Sequence, residues 1–223
     1  YWMNSVASER FGSGKVVCLN GAIEESTVQL REDDGLQPQD EFVRDNVGPE
    51  DSIVLSLGGN DIALRPTSAT IFNMALLTRL PNAWLLNKTG WAPGFAHFEG
   101  LFRVRIEAIL RKLVAKTAPK KIIVCMIYYP NQVPGGSWAD QTLALLGYDT
   151  DPSKLQLIIR SVFKAMAAKG FDVPGTEVEA YPLFEVMDGT IEADYEQRVE
   201  PSVQGGQKMA GGLLRALFGG DGK

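Results

Sequence analysis

Three short runs of almost uninterrupted apolar residues constrain the fold of this chain more than any other feature. They are rich in valine and isoleucine and occupy residues 15–20 (KVVCLN), 52–57 (SIVLSL) and 121–129 (KIIVCMIYY). Strands buried on both faces of a parallel sheet have this composition, whereas strands with one wet face alternate apolar and polar residues. A fourth, less regular run lies at residues 176–184. The pattern predicts a parallel sheet covered by helices on both faces.

Helical periodicity between these runs indicates the same fold class. Apolar residues recur at helical spacing across residues 155–166, where Ser153 is the expected N-cap and Gly170 the expected terminator. A last helix is expected to begin near Ser202 and to end at residues 219–220. Strands that alternate with helices along the chain predict a doubly wound α/β protein. In such proteins, sites form beyond the carboxyl ends of the strands.

Composition excludes several classes of function. The 223 residues are 45% hydrophobic and 22% charged, which favours a single domain over residues 1–223. A net charge of −5 without a basic cluster argues against binding to nucleic acid. No apolar stretch approaches the ~20 residues of a membrane span. Cys18 and Cys125 lack metal-binding spacing, so we expect both to be buried, reduced thiols, and we expect no metal or cofactor. Reduced thiols indicate an intracellular compartment, either the cytoplasm or an organelle such as the mitochondrion.

Two aromatic-rich segments interrupt the alternation of strands and helices. The first is a long insert at about residues 66–100, and the second is a loop at residues 130–150. Such loops above strand ends are typical of a substrate lid, of a surface for protein partners, or of a satellite cluster packed on the core. The aromatic residues expected to contact protein partners are Trp84, Trp91, Phe95 and Trp138.

The run at residues 52–57 ends abruptly in Gly58-Gly59-Asn60-Asp61. Two glycines allow a sharp turn, and the short polar side chains of Asn60 and Asp61 can bond neighbouring backbone within it. The same residues would also suit a functional site, because glycine lets another group come close to the backbone and Asn60 can donate hydrogen bonds to that group. The turn alone and a site both explain the motif.

Two motifs carry a resemblance to a known family. The stretch SLGGNDIAL (56–64), which follows VVCLNGAIEEST (16–27), resembles the third block of the SGNH (GDSL) hydrolase superfamily. The stretch RVEPSVQGGQKMA (198–210) is similar to the last block, in which Asp-x-x-His-Pro-Ser leads into the final helix. Order and spacing agree over residues 15–217. The resemblance implies a three-layer α/β/α, flavodoxin-like fold and, in the family, ester cleavage by acyl transfer.

The resemblance also implies roles for individual residues. Asn60 matches the asparagine whose side-chain amide binds the oxyanion. With Thr27 matched to the family's usual threonine, Glu25 aligns with a glycine whose amide also binds the oxyanion, and its carboxylate has the wrong charge for that. The catalytic histidine aligns with Glu200 and the aspartate that orients it aligns with Gln197. The chain therefore resembles a divergent branch with Glu-Pro-Ser in place of His-Pro-Ser.

The family's Gly-Asp-Ser block, which carries the nucleophilic serine, does not occur in this sequence. In the family's sheet, the strand that carries this block lies between those that correspond to residues 15–20 and 52–57. Without this strand, the backbone N–H and C=O groups along the facing edges of its two neighbours lack hydrogen-bond partners. We expect residues upstream of Tyr1 to supply this strand, and a strand from another chain is the alternative.

Two main functions are compatible with these residues. The departures at Glu25, Gln197 and Glu200 favour a pseudoenzyme that serves as a structural or interaction subunit of a larger assembly. The alternative is an esterase or acyl hydrolase with an upstream serine and Glu200 as base, about a hundredfold slower because carboxylates titrate roughly two pKa units below histidine. His97, in the aromatic insert, is expected to be packed or solvated rather than catalytic. A third possibility is a ligand-binding cleft in which Glu25 and Glu200 favour a cationic group.

Overall fold

A three-stranded parallel sheet lies at the centre of the computed structural model. The strands are, in spatial order, β1 (Ser52–Ser56), β2 (Lys121–Met126) and β3 (Glu177–Pro182). Ile122 of β2 lies between Ile53 of β1 and Val178 of β3. The predicted class, an α/β protein with a parallel sheet, is confirmed for the part of the chain that the structure describes, residues 2–79, 85, 86, 88 and 92–219.

Helices surround this sheet. They are, in chain order, α1 (Trp2–Phe11), α2 (Val28–Asp33), α3 (Pro38–Asn46), α4 (Gly59–Ala63), α5 (Ser68–Arg79), α6 (Phe95–Glu99), α7 (Ile106–Leu113), α8 (Asp140–Leu145), α9 (Pro152–Lys169) and α10 (Val203–Phe218). The remaining elements are a π-helical turn that joins α6 to α7 (Gly100–Arg105), two 3₁₀ turns (Leu183–Glu185 and Glu192–Asp194) and a short antiparallel hairpin of β4 (Tyr195–Gln197) and β5 (Glu200–Pro201).

Both faces of the sheet are covered by helices. On one face, Ile123 of β2 packs with Leu213 of α10 and Met3 of α1. On the other face, Ile122 lies in one cluster with Ile159 of α9. Successive residues of a strand point to opposite faces. The apolar run in β2 is therefore unbroken because both of its faces are buried. No helix in the described ranges is both long and apolar enough to cross a membrane.

The helix ends agree with the sequence signals in all but one case. Ser202 caps α10, and Gly170 follows the last residue of α9, as predicted. The N-cap of α9 is Asp151 instead of Ser153, because Pro152 occupies the first helical position, where its fixed φ is favourable. The side chain of Asp151 accepts a hydrogen bond from the Ser153 N–H, so Ser153 is capped and is not the cap.

The prediction of a strand at residues 15–20 is wrong. The segment belongs to no sheet of the described structure, and Val17 and Leu19 are 78% and 71% exposed. Instead, α1 holds it in place. Asn4 donates from Nδ2 to the Cys18 carbonyl (2.8 Å), and its Oδ1 accepts from the Cys18 N–H (2.6 Å). A groove separates the segment from β1. No strand of the described residues pairs with β1 on this side.

The two cysteines are free thiols in different environments. Cys125 lies in β2 and is buried, as predicted, and burial raises its pKa to about 12. Cys18 is only half-buried because its segment is not a strand, although burial still raises its pKa.

One expected contact residue of the aromatic insert belongs to the core. Phe95 is 3% exposed because α6 packs against α5 and α9, so the prediction that it contacts partners is corrected. Trp84 and Trp91 lie outside the described residues. Trp138, in the loop at residues 130–150, is 45% exposed. His97 is packed, with its Nε2 3.0 Å from the Thr70 Oγ1.

Candidate functional site

The turn after β1 requires glycine at only one of its two glycine positions. Gly58 has a φ of 102° and caps α4. A Cβ atom at Gly58 would lie 2.5 Å from the ring of Phe102, so any other residue would have to displace this ring and adopt a strained backbone. A Cβ atom at Gly59 would come no closer than 3.6 Å to Ile127. The sequence predicts that another group comes close to the backbone at this strand end. In the structure that group is the ring of Phe102, which belongs to the core.

Asn60 and Asp61 bond to a distant segment, and the prediction that they bond within their own turn is wrong. The buried carboxylate of Asp61 accepts from the N–H groups of Val28 (2.8 Å) and Gln29 (2.9 Å). The Nδ2 of Asn60 donates to the Ser26 carbonyl at 3.1 Å. The first N–H groups of a helix lack partners within it, and a negative charge is favourable there. Asp61 therefore fixes the start of α2 against the end of β1.

Glu25 has the backbone conformation of a glycine. Its φ is 60°, and it is the one non-glycine residue with a positive φ in the described part of the chain. This conformation costs roughly 1–2 kcal/mol for a residue with a Cβ. The side chain is exposed and accepts a hydrogen bond from Arg65 at 2.8 Å. Glycine adopts this conformation without the same cost. No pattern in the sequence indicates the pairing with Arg65.

Glu200 and Gln197 face each other across the β4–β5 hairpin, and both are exposed. The Oε1 of Glu200 accepts from the indole Nε1 of Trp138 at 2.8 Å. Beside them, the hydroxyl of the half-buried Tyr128 donates to the Val199 carbonyl at 2.5 Å. Burial and, to a smaller extent, the charge of Glu200 raise the pKa of Tyr128. The sequence singled out Trp138 and Glu200 separately, and no pattern indicated that they bond to each other.

A buried arginine joins this hairpin to the loop at residues 130–150. The Arg198 guanidinium donates to Asp140 (3.0 Å) and Asp149 (2.8 Å), and its Nε donates to the Asn131 carbonyl at 3.2 Å. Each nitrogen of the guanidinium donates to an acceptor, and paired, hydrogen-bonded charges are the ones that can be buried without a large penalty. Arg198 therefore fixes the position of the loop that carries Trp138.

A groove of about 1140 Å³ lies beside β1, and Trp138 forms part of its lining. Its walls include residues 15–23 and 52–60. Asn60 and Trp138 both line it, at the carboxyl end of β1 where doubly wound folds place their sites. Glu200 contacts the groove through Trp138, whereas Glu25 and Gln197 do not line it. Within the described ranges, no cluster of three His, Cys, Asp or Glu residues could hold a metal ion.

Comparison with known proteins gives one remote likeness in structure. No protein-family model matches the chain. No curated protein matches it either. Among solved structures, it is similar to a protein from Streptococcus pneumonia that is described as a platelet activating factor. The two share 17% sequence identity with a TM-score of 0.47, over 95% of this chain and 77% of the other. A likeness of this size does not indicate a shared activity.

Proposed function

We propose that this chain is a catalytically degenerate SGNH/GDSL-hydrolase-like protein that serves as a structural or interaction subunit of a larger assembly. The observation that carries the proposal concerns Glu200, which stands where the resemblance implies a catalytic histidine. It is exposed and hydrogen-bonded to Trp138. A carboxylate is a weaker base than imidazole by roughly two pKa units. It also becomes neutral when it takes a proton, so it supplies no positive charge beside an oxyanion.

The groups at the two implied oxyanion positions support the same proposal. Stabilisation of an oxyanion needs donors that are aimed at it and free to bind it. One N–H of the Asn60 amide already donates to the Ser26 carbonyl. Glu25 adds a carboxylate, which is paired with Arg65. His97 does not substitute for the missing base, because it bonds to Thr70 and does not line the groove.

The retained motif residues have structural contacts that account for their presence. Gly58 fits against Phe102, and Asp61 caps α2. Ser202 caps α10 through its hydroxyl, which accepts from the Gly205 N–H at 3.2 Å. A protein that keeps these contacts and loses the histidine keeps the fold without the chemistry. The free thiols of both cysteines fit a reducing, intracellular compartment.

Ester hydrolysis is the second candidate, and the geometry at Asn60 and Glu25 favours it. Asn60 lines the groove, and the backbone of Glu25 has the conformation of the implied glycine. This function requires a serine supplied upstream of Tyr1 and Glu200 as the base.

Hydrolysis of short-chain aryl esters by the full natural polypeptide tests the two candidates. We expect no turnover above that of an Asn60→Ala variant. Asn73→Ala, in an exposed turn of α5, is the matched control. Turnover that survives purification, is unchanged in Asn73→Ala and falls by about 10²-fold or more in Asn60→Ala would overturn the proposal and establish a working oxyanion hole.

A further inference from the structure

One turn of the chain contains an asparagine directly before a glycine. Of the eight asparagines in the sequence, only Asn20 is followed by glycine, in the pair Asn20-Gly21. Asn20 is exposed and lies between α1 and α2, in a segment that belongs to neither a helix nor a strand. Backbone outside helices and sheets opens locally at low cost. The pair therefore has the residue types and the freedom that a reaction between a side chain and the backbone needs.

The side chain of Asn20 is bonded to the backbone that follows it. Its Oδ1 accepts a hydrogen bond from the Ala22 N–H at 3.0 Å. This arrangement is an Asx turn, in which the asparagine side chain takes the place of a backbone residue. In such a turn the side-chain carbonyl lies beside the peptide that joins the two residues, and the nitrogen of that peptide belongs to Gly21.

The same hydrogen bond favours attack on the Cγ atom of Asn20. When the Gly21 nitrogen adds to Cγ, negative charge develops on Oδ1, and a donor already aimed at that oxygen lowers the barrier. Within the described part of the chain, neither the Gly21 N–H nor the Asn20 Nδ2 donates a hydrogen bond to the protein. The nucleophile and the leaving group are therefore both free to react.

The other asparagines of the described ranges are less able to react. Each is either buried or donates its side-chain amide to a backbone carbonyl: Asn4, Asn46, Asn60, Asn73 and Asn131. Each is also followed by a residue with a side chain, which hinders the approach of the peptide nitrogen to Cγ. Neither obstacle exists at Asn20.

We propose that Asn20 is a site of spontaneous deamidation. The Gly21 nitrogen bonds to Cγ, its proton passes through water to Nδ2, and the bond from Cγ to Nδ2 breaks, so that ammonia leaves and a succinimide ring forms. Water then opens the ring at either carbonyl, which gives aspartate or isoaspartate without any oxidation or reduction. All the reacting groups belong to residues 20–22 and the co-reactant is water. The inference is therefore independent of the residues that precede Tyr1 and of the proposed function.

Deamidation would change both the charge and the shape of the groove beside β1. Asn20 lines this groove with a neutral amide. Both products replace the amide with a carboxylate, which is ionised at neutral pH. Isoaspartate also lengthens the backbone by one carbon atom, because the main chain then runs through Cβ and Cγ of the modified residue. The reaction thus alters the wall of the groove without an enzyme and at a rate that the local structure sets.

Peptide mapping by mass spectrometry tests the inference. The full natural polypeptide is incubated in mildly alkaline buffer, which speeds loss of the Gly21 proton, and samples are digested at intervals. We expect Asn20 to be converted to a mixture of aspartate and isoaspartate at least about tenfold faster than any other asparagine. The inference would be overturned if Asn20 stayed intact, or if another asparagine reacted faster.

Gly21→Ala is the variant that tests the route of the reaction. A Cβ atom at Gly21 would lie 3.9 Å from Val43 Cγ2, which is an ordinary contact, and Gly21 has no positive φ, so the variant should fold like the wild type by circular dichroism. The added methyl group hinders the attacking nitrogen, and we expect conversion of Asn20 to slow by about tenfold or more.

Gly211→Ala is the matched control for this variant, because a Cβ atom there would also make only an ordinary contact, 3.8 Å from Arg215. We expect it to change the rate at Asn20 by less than about twofold. If Gly21→Ala reacted as fast as the wild type, or if aspartate formed without isoaspartate, water would be attacking the amide directly and the proposed route would be wrong.

Discussion

Glu25 combines a left-handed backbone with an exposed side chain, and at the scale of single residues this makes it an unusual position. Its ion pair with Arg65 lies at the surface, where such pairs contribute ~0–1 kcal/mol. The backbone penalty of roughly 1–2 kcal/mol is at least as large. The residue therefore destabilises the turn that contains it, and glycine is the residue that removes the penalty.

We predict that the Glu25→Gly variant is more stable than the Glu25→Ala variant by about 1 kcal/mol, because both lose the ion pair and only glycine relieves the left-handed backbone. The measurement is the free energy of unfolding from urea denaturation. Glu24 is the matched control, since it is exposed and has no positive φ. There, glycine should be the less stable of the two substitutions. If the glycine variant were the more stable of the two at both positions, or the less stable at both, the prediction would be contradicted.

At the scale of elements, the loop at residues 130–150 is fixed by charge. The guanidinium of Arg198 is 1% exposed, whereas Asp140 and Asp149 are 31% and 29% exposed. One buried cation thus joins two carboxylates of the loop to the β4–β5 hairpin. The indole of Trp138 reaches Glu200 from the same loop.

We predict that Arg198→Met lowers the free energy of unfolding by roughly 2–3 kcal/mol. This is less than the ~3–5 kcal/mol lost when a fully buried pair is broken, because water can reach the two carboxylates that remain. Urea denaturation gives the value. Arg65→Met is the control, because the pair of Arg65 with Glu25 is exposed and its loss should cost no more than about 1 kcal/mol. If Arg198→Met and Arg65→Met lowered the free energy of unfolding equally, the buried Arg198 would stabilise the protein no more than an exposed arginine does.

The elements also differ in how far the sequence predicts them. The runs at residues 15–20 and 121–129 have similar compositions, yet the second contains a strand and the first does not. Composition indicates that a segment suits burial between two layers. It does not indicate whether a neighbouring strand is present, and β2 has two neighbours in the structure. The helix ends were predictable because caps depend on residues a few positions apart.

At the scale of the whole molecule, the class of the fold could be predicted from the sequence, and so could the position of Asn60 after a strand of the parallel sheet. Asn60 lies at the carboxyl end of β1, as the parallel sheet requires. Its bond to Ser26 and the bond of Trp138 to Glu200 could not be predicted. Both join segments far apart in the chain, and their formation depends on loop geometry that periodicity does not encode.

The wall of the groove contains the more accessible of the two thiols, so the chemical reactivity of this thiol can be used to follow occupancy of the groove. Cys18 lines the groove, whereas Cys125 is buried with a pKa of about 12. A maleimide should therefore modify one equivalent of thiol in the native protein and two after denaturation. Since thiolate is the reactive form, the rate should be slower than that of free cysteine. Anything that fills the groove should slow this reaction in proportion to its occupancy, so the rate of alkylation of Cys18 reports whether the groove is filled.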